Sequence, residues 1–272
     1  LRLSLSTASL YVYPLRHIFA IARDVGFEGV ELVVCPEVWL RGAEYVRRLS
    51  QEYGLPIFTL HPSMIPTPRG RQHHRLLPQL TRLALELDCQ FIVIHTPKAL
   101  SMEDRLGREY TEAVKGCVQE LSGASPRLCI ENQAVFRPSD RRYALCATDS
   151  LSRFVDEHDL PVTLDTAHVA SFPYDLLETY ETMRDRLVNV HLSDFRDDVS
   201  IPPWFNMHSY FKHHQLPGDG DLPLGRLIRR LRADRYEGPV TIEVSPFALE
   251  VWRPGRIRDR LTECLDFVRA AL

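Results

Sequence analysis

The chain lacks most of the features that would assign it quickly. Its six cysteines form no CxxC pair, which removes the spacing by which redox and thiolate-zinc motifs are recognised. Cys89, Cys117, Cys129 and Cys264 fall within helix or strand patterns and read as small buried hydrophobes, and a reduced cytosol is the expected compartment. There is no run of eighteen apolar residues, so no membrane span is expected. Residues 1–6, Leu-Arg-Leu-Ser-Leu-Ser, alternate like a strand and do not make the apolar stretch of a signal peptide. Basic residues are not in excess: 33 Lys and Arg face 36 Asp and Glu, a net charge of −3, so no global field invites nucleic acid. The turn after the first strand, Ser6-Thr7-Ala8-Ser9, has no glycine, which argues against a dinucleotide-binding open sheet. No low-complexity tract and no linker-like composition break interrupts the chain.

What is present is a regular alternation. Short apolar runs predict strands at residues 1–6, 29–34, 56–61, 91–95, 127–131, 161–165, 187–191 and 238–244. Helical spacing predicts helices at 14–25, 40–53, 71–88, 102–121, 150–158, 175–185, 222–233 and 255–271. Runs apolar through their length suit a parallel sheet covered on both faces. Eight such β/α units in 272 residues, of which 44% are hydrophobic, predict one (β/α)8 barrel, an α/β single domain over 1–272.

Strands two to eight end in, or carry near the end, Glu31, His61, His95, Glu131, Asp165, His191 and Glu243. With 36 acidic residues and 11 histidines in the chain, seven successive strand ends bearing one is not a chance draw. In a barrel these ends converge on one mouth, where active sites of this fold lie. Four carboxylates converging without counter-charge would repel. Imidazoles and carboxylates around one cavity are what a divalent metal needs. Each residue has a plainer reading as well. Asp165, followed by Thr166, could simply cap a helix, Glu31 could cap the next helix or bind an arginine, and His61 and His95 could be satisfied mouth histidines. Glu131, Asp165, His191 and Glu243 sit within apolar strands where an unpaired charge is expensive.

A long segment from 192 to 221 follows strand seven and carries Trp204, Phe205, His208, Tyr210, Phe211, His213 and His214, then Pro217-Gly218-Asp219-Gly220. A loop of that length in a barrel is usually functional, and its aromatics could wall a small-molecule pocket or stack on a base.

These pieces resemble the xylose isomerase-like barrel superfamily, which includes sugar isomerases and epimerases and the endonuclease IV-type enzymes. The matching motifs are Leu-His at 60–61, Ile-His at 94–95, Ile-Glu-Asn at 130–132, Leu-Asp-Thr-Ala-His at 164–168, Val-His-Leu-Ser-Asp at 190–194, His214 with Pro217-Gly218-Asp219-Gly220, and Ile-Glu at 242–243. For epimerases of the tagatose and psicose type, the resemblance implies one Mn²⁺ or similar ion (Zn²⁺, Mg²⁺ or Co²⁺ being the other choices) held by Glu131, Asp165, His191 and Glu243. Glu131 and Glu243 would exchange a proton beside the substrate carbonyl. His168 would touch the substrate, with Trp204 and Phe205 as further substrate contacts. For the endonuclease IV type it implies three zinc ions. His61, His95 and Glu131 would hold the first, the four-residue set the second, and His168 and His214 the third, with an aspartate two residues before His214. That position is Lys212 here, an ammonium that cannot ligate, which weighs against phosphodiester hydrolysis. The second-metal motif of xylose isomerase proper has only a partial echo in Asp194, Asp197 and Asp198. The expectation is a metal-dependent sugar isomerase or epimerase, with an abasic-site phosphodiesterase and a lyase or dehydratase acting on a sugar-derived acid or cyclitol as alternatives. Its partner would be a small sugar-derived molecule, not a membrane or nucleic acid. A homo-oligomer would be ordinary for such an enzyme.

Overall fold

The computed structural model describes residues 1–63, 72–172, 174–200 and 208–272, with side chains from residue 210 onward in the last stretch. Eight parallel strands close into a barrel in chain order. They are β1 (Arg2–Ser6), β2 (Gly29–Val33), β3 (Ile57–His61), β4 (Phe91–His95), β5 (Arg127–Glu131), β6 (Val162–Asp165), β7 (Leu187–Leu192) and β8 (Pro239–Ile242). The helices among the described residues are α1 (Leu15–Val25), α2 (Pro36–Tyr53), α3 (Leu77–Leu87), α4 (Arg105–Glu120), α5 (Thr148–Glu157), α6 (Thr166–Ser171), α7 (Leu176–Met183), α8 (His208–Phe211), α9 (Leu224–Ala233) and α10 (Pro254–Ala271). None is long and apolar enough to cross a membrane. The expected (β/α)8 barrel is the fold found.

Local signals explain the boundaries. In α1, Leu15, Ile18, Phe19 and Ala22 form one buried stripe, and Gly26 at φ 95° ends the helix in the left-handed region. Asp104 caps α4 by accepting from the Gly107 N–H at 2.8 Å. Two expectations need correction. The second helix begins at Pro36, not residue 40, because Pro suits a first helical turn, and Gly42 at φ 74° breaks its path. The third helix was expected from residue 71, which lies outside the described residues. A 3₁₀ turn over His73–Leu76 precedes α3, whose first turn contains Pro78. The six-residue α6 and the four-residue α8 are too short to show a helical period.

The strands are also less uniformly apolar than their sequences suggest. One set of alternating residues, including Val30, Leu32, Leu60, Ile92, Ile130, Leu164, Val190 and Ile242, is buried in the apolar core. The intervening set is small or polar and bonds within itself: Ser6 and Thr59 to Glu31, Cys129 beside Thr163, Thr241 to Asn189. This second set leads to the polar residues at the C-terminal rim. Register aligns them, since His95 pairs with Glu131 and Asp165 with His191 across adjacent strands.

Candidate metal centre

Four side chains on adjoining elements meet in the barrel mouth. Glu131 ends β5, Asp165 ends β6, His191 lies in β7, and Glu243 follows β8. One ligand-type atom from each lies within 4.8 Å of every other, and all four residues are buried.

His191 and Asp165 are oriented by specific contacts. The His191 Nε2–H donates to Glu31 Oε2 at 2.8 Å. Glu31 is fully buried and also accepts from Ser6 Oγ at 3.0 Å and Thr59 Oγ1 at 2.9 Å. A carboxylate that only accepts puts the proton on Nε2 and turns Nδ1 to the centre. That Nδ1 lies 2.8 Å from Glu243 Oε2 and 3.5 Å from Glu131 Oε1, yet makes no hydrogen bond. Asp165 divides its two oxygens. Oδ1 accepts from the His168 N–H at 2.8 Å and so caps α6, while Oδ2 is buried with no hydrogen-bond partner. The capping reading of Asp165 and the ligand reading therefore coexist. Asn132 clamps the Asp165 backbone from both sides, donating to its carbonyl at 3.1 Å and accepting from its N–H at 2.7 Å.

Two buried polar atoms without partners, aimed at a point where three carboxylates and an imidazole meet, are costly as they stand. A divalent cation would satisfy both and remove the repulsion, so the donor set fits a metal.

Two further groups adjoin this one. His61, His95 and Glu131 form the first, and Asp165, His168 and His214 the second. Glu131 spans them. Its Oε2 lies 3.0 Å from His95 Nε2 and 3.4 Å from His61 Nε2, and its Oε1 lies 3.1 Å from His168 Nδ1. His61 Nδ1 lies 2.8 Å from the Pro62 carbonyl and His168 Nδ1 2.9 Å from the Asn132 carbonyl, contacts that place the proton of each neutral ring on Nδ1, while His61 Nε2 also lies 3.4 Å from Glu131 Oε2. His214 sits at φ 53°, a strained setting for a non-glycine residue, with Nδ1 3.2 Å from Ser193 Oγ.

The electrostatics follow from this crowding. Burial pushes the Glu131 carboxyl up, but His95, His191 and His168 outweigh it and hold it well below the ordinary value. Glu243 is likewise raised by burial and lowered by His191 and His214, and falls to about 2. Burial pulls His168 down, and the Asp165, Glu131 and Glu243 carboxylates overcome it and raise it to about 9. His191 is raised well above the usual imidazole value against the same burial, through Glu31, Glu243 and Glu131.

The long segment after β7 is organised by Asp194. This buried carboxylate accepts from the backbone N–H groups of Phe195 at 2.9 Å, Gly218 at 2.9 Å and Leu222 at 3.0 Å. A Cβ on Gly220 would collide with Asp194 and with the Phe195 carbonyl. Asp197 binds Lys212 Nζ at 2.8 Å, and Asp198 pairs with Arg196. None of the three aspartates is in the metal-type groups. Lys212 is held by Asp197 and lies over the Phe195 ring at 5.1 Å. Trp204 and Phe205 lie outside the described residues. Two contributors escaped the sequence reading. Glu31, left there between capping and an arginine partner, is the acceptor for His191. Asn132, seen only as part of Ile-Glu-Asn, is the clamp on Asp165.

A family model described as xylose isomerase-like TIM barrel matches residues 19–266. An uncharacterised protein of Mycobacterium leprae is 29% identical over 100% of this chain and 98% of its own length. Fructoselysine 3-epimerase of Escherichia coli O157:H7 is 22% identical over 85% of this chain and 86% of its own. Among solved structures, D-psicose 3-epimerase from Clostridium cellulolyticum H10 with D-tagatose superposes with a TM-score of 0.74 at 16% identity, covering 100% of this chain and 99% of the other. A probable 3-DHS dehydratase from Bacillus anthracis superposes with a TM-score of 0.73 at 14% identity, each chain 99% covered.

Proposed function

Because the chain belongs to the xylose isomerase-like TIM barrel family, we propose that it is a metal-dependent sugar isomerase or epimerase that moves a proton beside the carbonyl of a small polyhydroxy substrate. The observation that carries this reading is the buried Glu131–Asp165–His191–Glu243 group with its two partnerless polar atoms. These four residues would hold one Mn²⁺-like or Zn²⁺ ion. When bound, that ion stabilises the negative charge that develops on the substrate's carbonyl and neighbouring hydroxyl oxygens.

The rest is the work of the chain's own residues. Exposure divides the mouth into a floor and an open face. The side chains of Asp165, His191, Glu131 and His61 are at most 1% exposed, whereas His95 reaches 28%, His214 14%, Glu243 11% and His168 9%. Substrate therefore meets His95, His168, His214 and Glu243. Glu243 is the more accessible of the two ionised carboxylates and takes or returns the proton at one face of the substrate. Glu131 serves the other from the floor. His168, its Nδ1–H tied to Asn132, offers Nε2 to a substrate hydroxyl. Asp194 holds the segment that brings His214 to the rim. The epimerase activity of the fructoselysine 3-epimerase relative supports the same chemistry.

A second reading, phosphodiester hydrolysis of the endonuclease IV type, is favoured by one observation. The His61–His95–Glu131 and Asp165–His168–His214 groups flank the first and could each hold a cation. Metal analysis with paired assays decides between the two. One ion per chain with proton exchange into ketoses supports isomerisation. Three zinc ions with cleavage of an abasic oligonucleotide overturns it. Bound metal without turnover of either substrate would favour a lyase or dehydratase.

A further inference from the structure

The rim of the mouth beside Glu243 and His214 carries an aromatic platform that the proton-transfer chemistry does not use. Phe247 lies at its centre, with ring centroids 4.9 Å from Phe211, 5.4 Å from Tyr210 and 5.6 Å from Trp252. Tyr11 lies close enough to Tyr210 to act on its hydroxyl. Four of these rings face solvent: Tyr11 is 56% exposed, Trp252 58%, Phe247 38% and Phe211 37%. Large apolar side chains gathered this way on a surface mark a binding site more often than chance.

The platform is built on the segments that deliver the site. Phe211 lies three residues before His214, and Phe247 four after Glu243. Four residues reach at most about 14 Å even fully extended. Ser245 ties the segments together. Its N–H donates to the His214 carbonyl at 2.6 Å, its Oγ donates to the Tyr210 carbonyl at 2.9 Å, and it accepts from the Phe247 N–H at 3.1 Å. Tyr13 Oη secures the other side by donating to the Val251 carbonyl at 2.7 Å. Polar groups adjoin the rings along the chain: Tyr11 ends in a hydroxyl, and Glu250 and Arg253, on either side of Val251-Trp252, pair at 3.3 Å. Flat aromatic faces bordered by hydroxyl, carboxylate and guanidinium groups suit a pyranose, whose C–H face packs on a ring while its hydroxyls bond at the edge.

We propose that the platform is a second sugar subsite and that the substrate is a glycosylated carbonyl sugar, one ring at Glu243 and the other on Phe247 and Trp252, rather than a free monosaccharide. This inference rests on the isomerase reading of the mouth.

The test uses the metal-loaded full chain. Solvent-deuterium incorporation is measured for D-fructose and for three ketose disaccharides that keep the carbonyl free: isomaltulose, turanose and lactulose. At least one disaccharide is expected to exceed fructose about tenfold in kcat/KM, a size ordinary for one aromatic stacking contact. Phe247→Ala and Trp252→Ala should cut that advantage severalfold, chiefly through KM. Equal kcat/KM for fructose and all three disaccharides, or an advantage untouched in both variants, overturns the second subsite while leaving the isomerase reading standing. If no ketose exchanges at all, the isomerase reading fails, and calorimetric binding of isomaltulose against fructose decides the platform separately: tighter binding lost in Trp252→Ala supports it, and equal binding overturns it. Self-association abolished by Trp252→Ala with sugar binding unaffected would assign the rings to a second copy of the chain and overturn the proposal.

Discussion

Replacing Glu31 with glutamine removes one negative charge and almost no volume. In the structure Glu31 Oε2 accepts from His191 Nε2–H at 2.8 Å, and the carboxylate is held by Ser6 and Thr59. A hydrogen bond to a charged acceptor contributes about 1.5–3 kcal/mol, against about 0.5–1.5 kcal/mol for a neutral one. The substitution therefore costs His191 about 1–2 kcal/mol of support as a ligand, both through lowered basicity and through a looser ring. A loss of about 1–2 kcal/mol weakens metal binding about 5- to 30-fold, which overlaps the range of about 10- to 100-fold typical for a group behind a ligating histidine. Chelator-competition titration of Mn²⁺ and Zn²⁺ against wild type and Glu31→Gln reads it directly. Circular dichroism of both metal-free proteins confirms that the barrel is intact. Affinity within twofold of wild type in a folded Glu31→Gln protein would refute the idea that Glu31 tunes the centre through His191.

Other consequences follow from the same contacts. His168 is raised from 6.5 to about 9 by its carboxylate neighbours, so its stabilising effect on the metal-free protein is complete below pH 6.5 and lost as pH rises through about 9. The shift corresponds to about 3 kcal/mol at most. Glu243, lowered from 4.5 to about 2, stabilises above pH 4.5, and that effect is lost as pH falls through about 2. The thermal midpoint in EDTA should therefore decline between pH 6.5 and 10, with added cation restoring more stability at pH 9 than at pH 6. A flat midpoint across that range contradicts the assignment. Gly220→Ala drives a methyl into Asp194 and the Phe195 carbonyl. It should destabilise the protein by about 1–3 kcal/mol in urea. Unchanged stability would show that the Asp194 clasp is slack.

The barrel was legible in the chain because each strand is a short apolar run closed by a turn, and the period of the β/α unit is regular. Its rim was legible for the same reason, since a charged or imidazole side chain at the end of such a run stands out. Less visible was anything set by register between distant strands. Glu31 meets His191 160 residues away, and no local pattern announces that a buried carboxylate on β2 will face an imidazole on β7. Asp165 illustrates the limit from the other side. Sequence alone set helix cap against ligand, whereas a carboxylate has two oxygens and the fold gives each a separate setting. Lys212 was read from its position before His214, but its ammonium is drawn to Asp197, a contact decided by how the segment folds back on Asp194. The aromatic platform was half read: Tyr210 and Phe211 stood out in the long segment after β7, but Tyr11, Phe247 and Trp252 come from the segments after β1 and β8, and only closure of the barrel brings them together.

The central claim is that the barrel mouth moves a proton beside a sugar carbonyl with the help of a bound divalent ion. Proton NMR of the Mn²⁺- or Zn²⁺-loaded chain in D₂O with a panel of free and glycosylated ketoses tests it most directly. The account predicts deuterium at the carbon next to the carbonyl for at least one sugar. That signal should be abolished by chelation and lowered by about 100-fold or more in Glu243→Gln, the range for loss of a positioned acid–base group. Absence of exchange for every sugar, together with cleavage of an abasic oligonucleotide by the zinc-loaded chain, would contradict it.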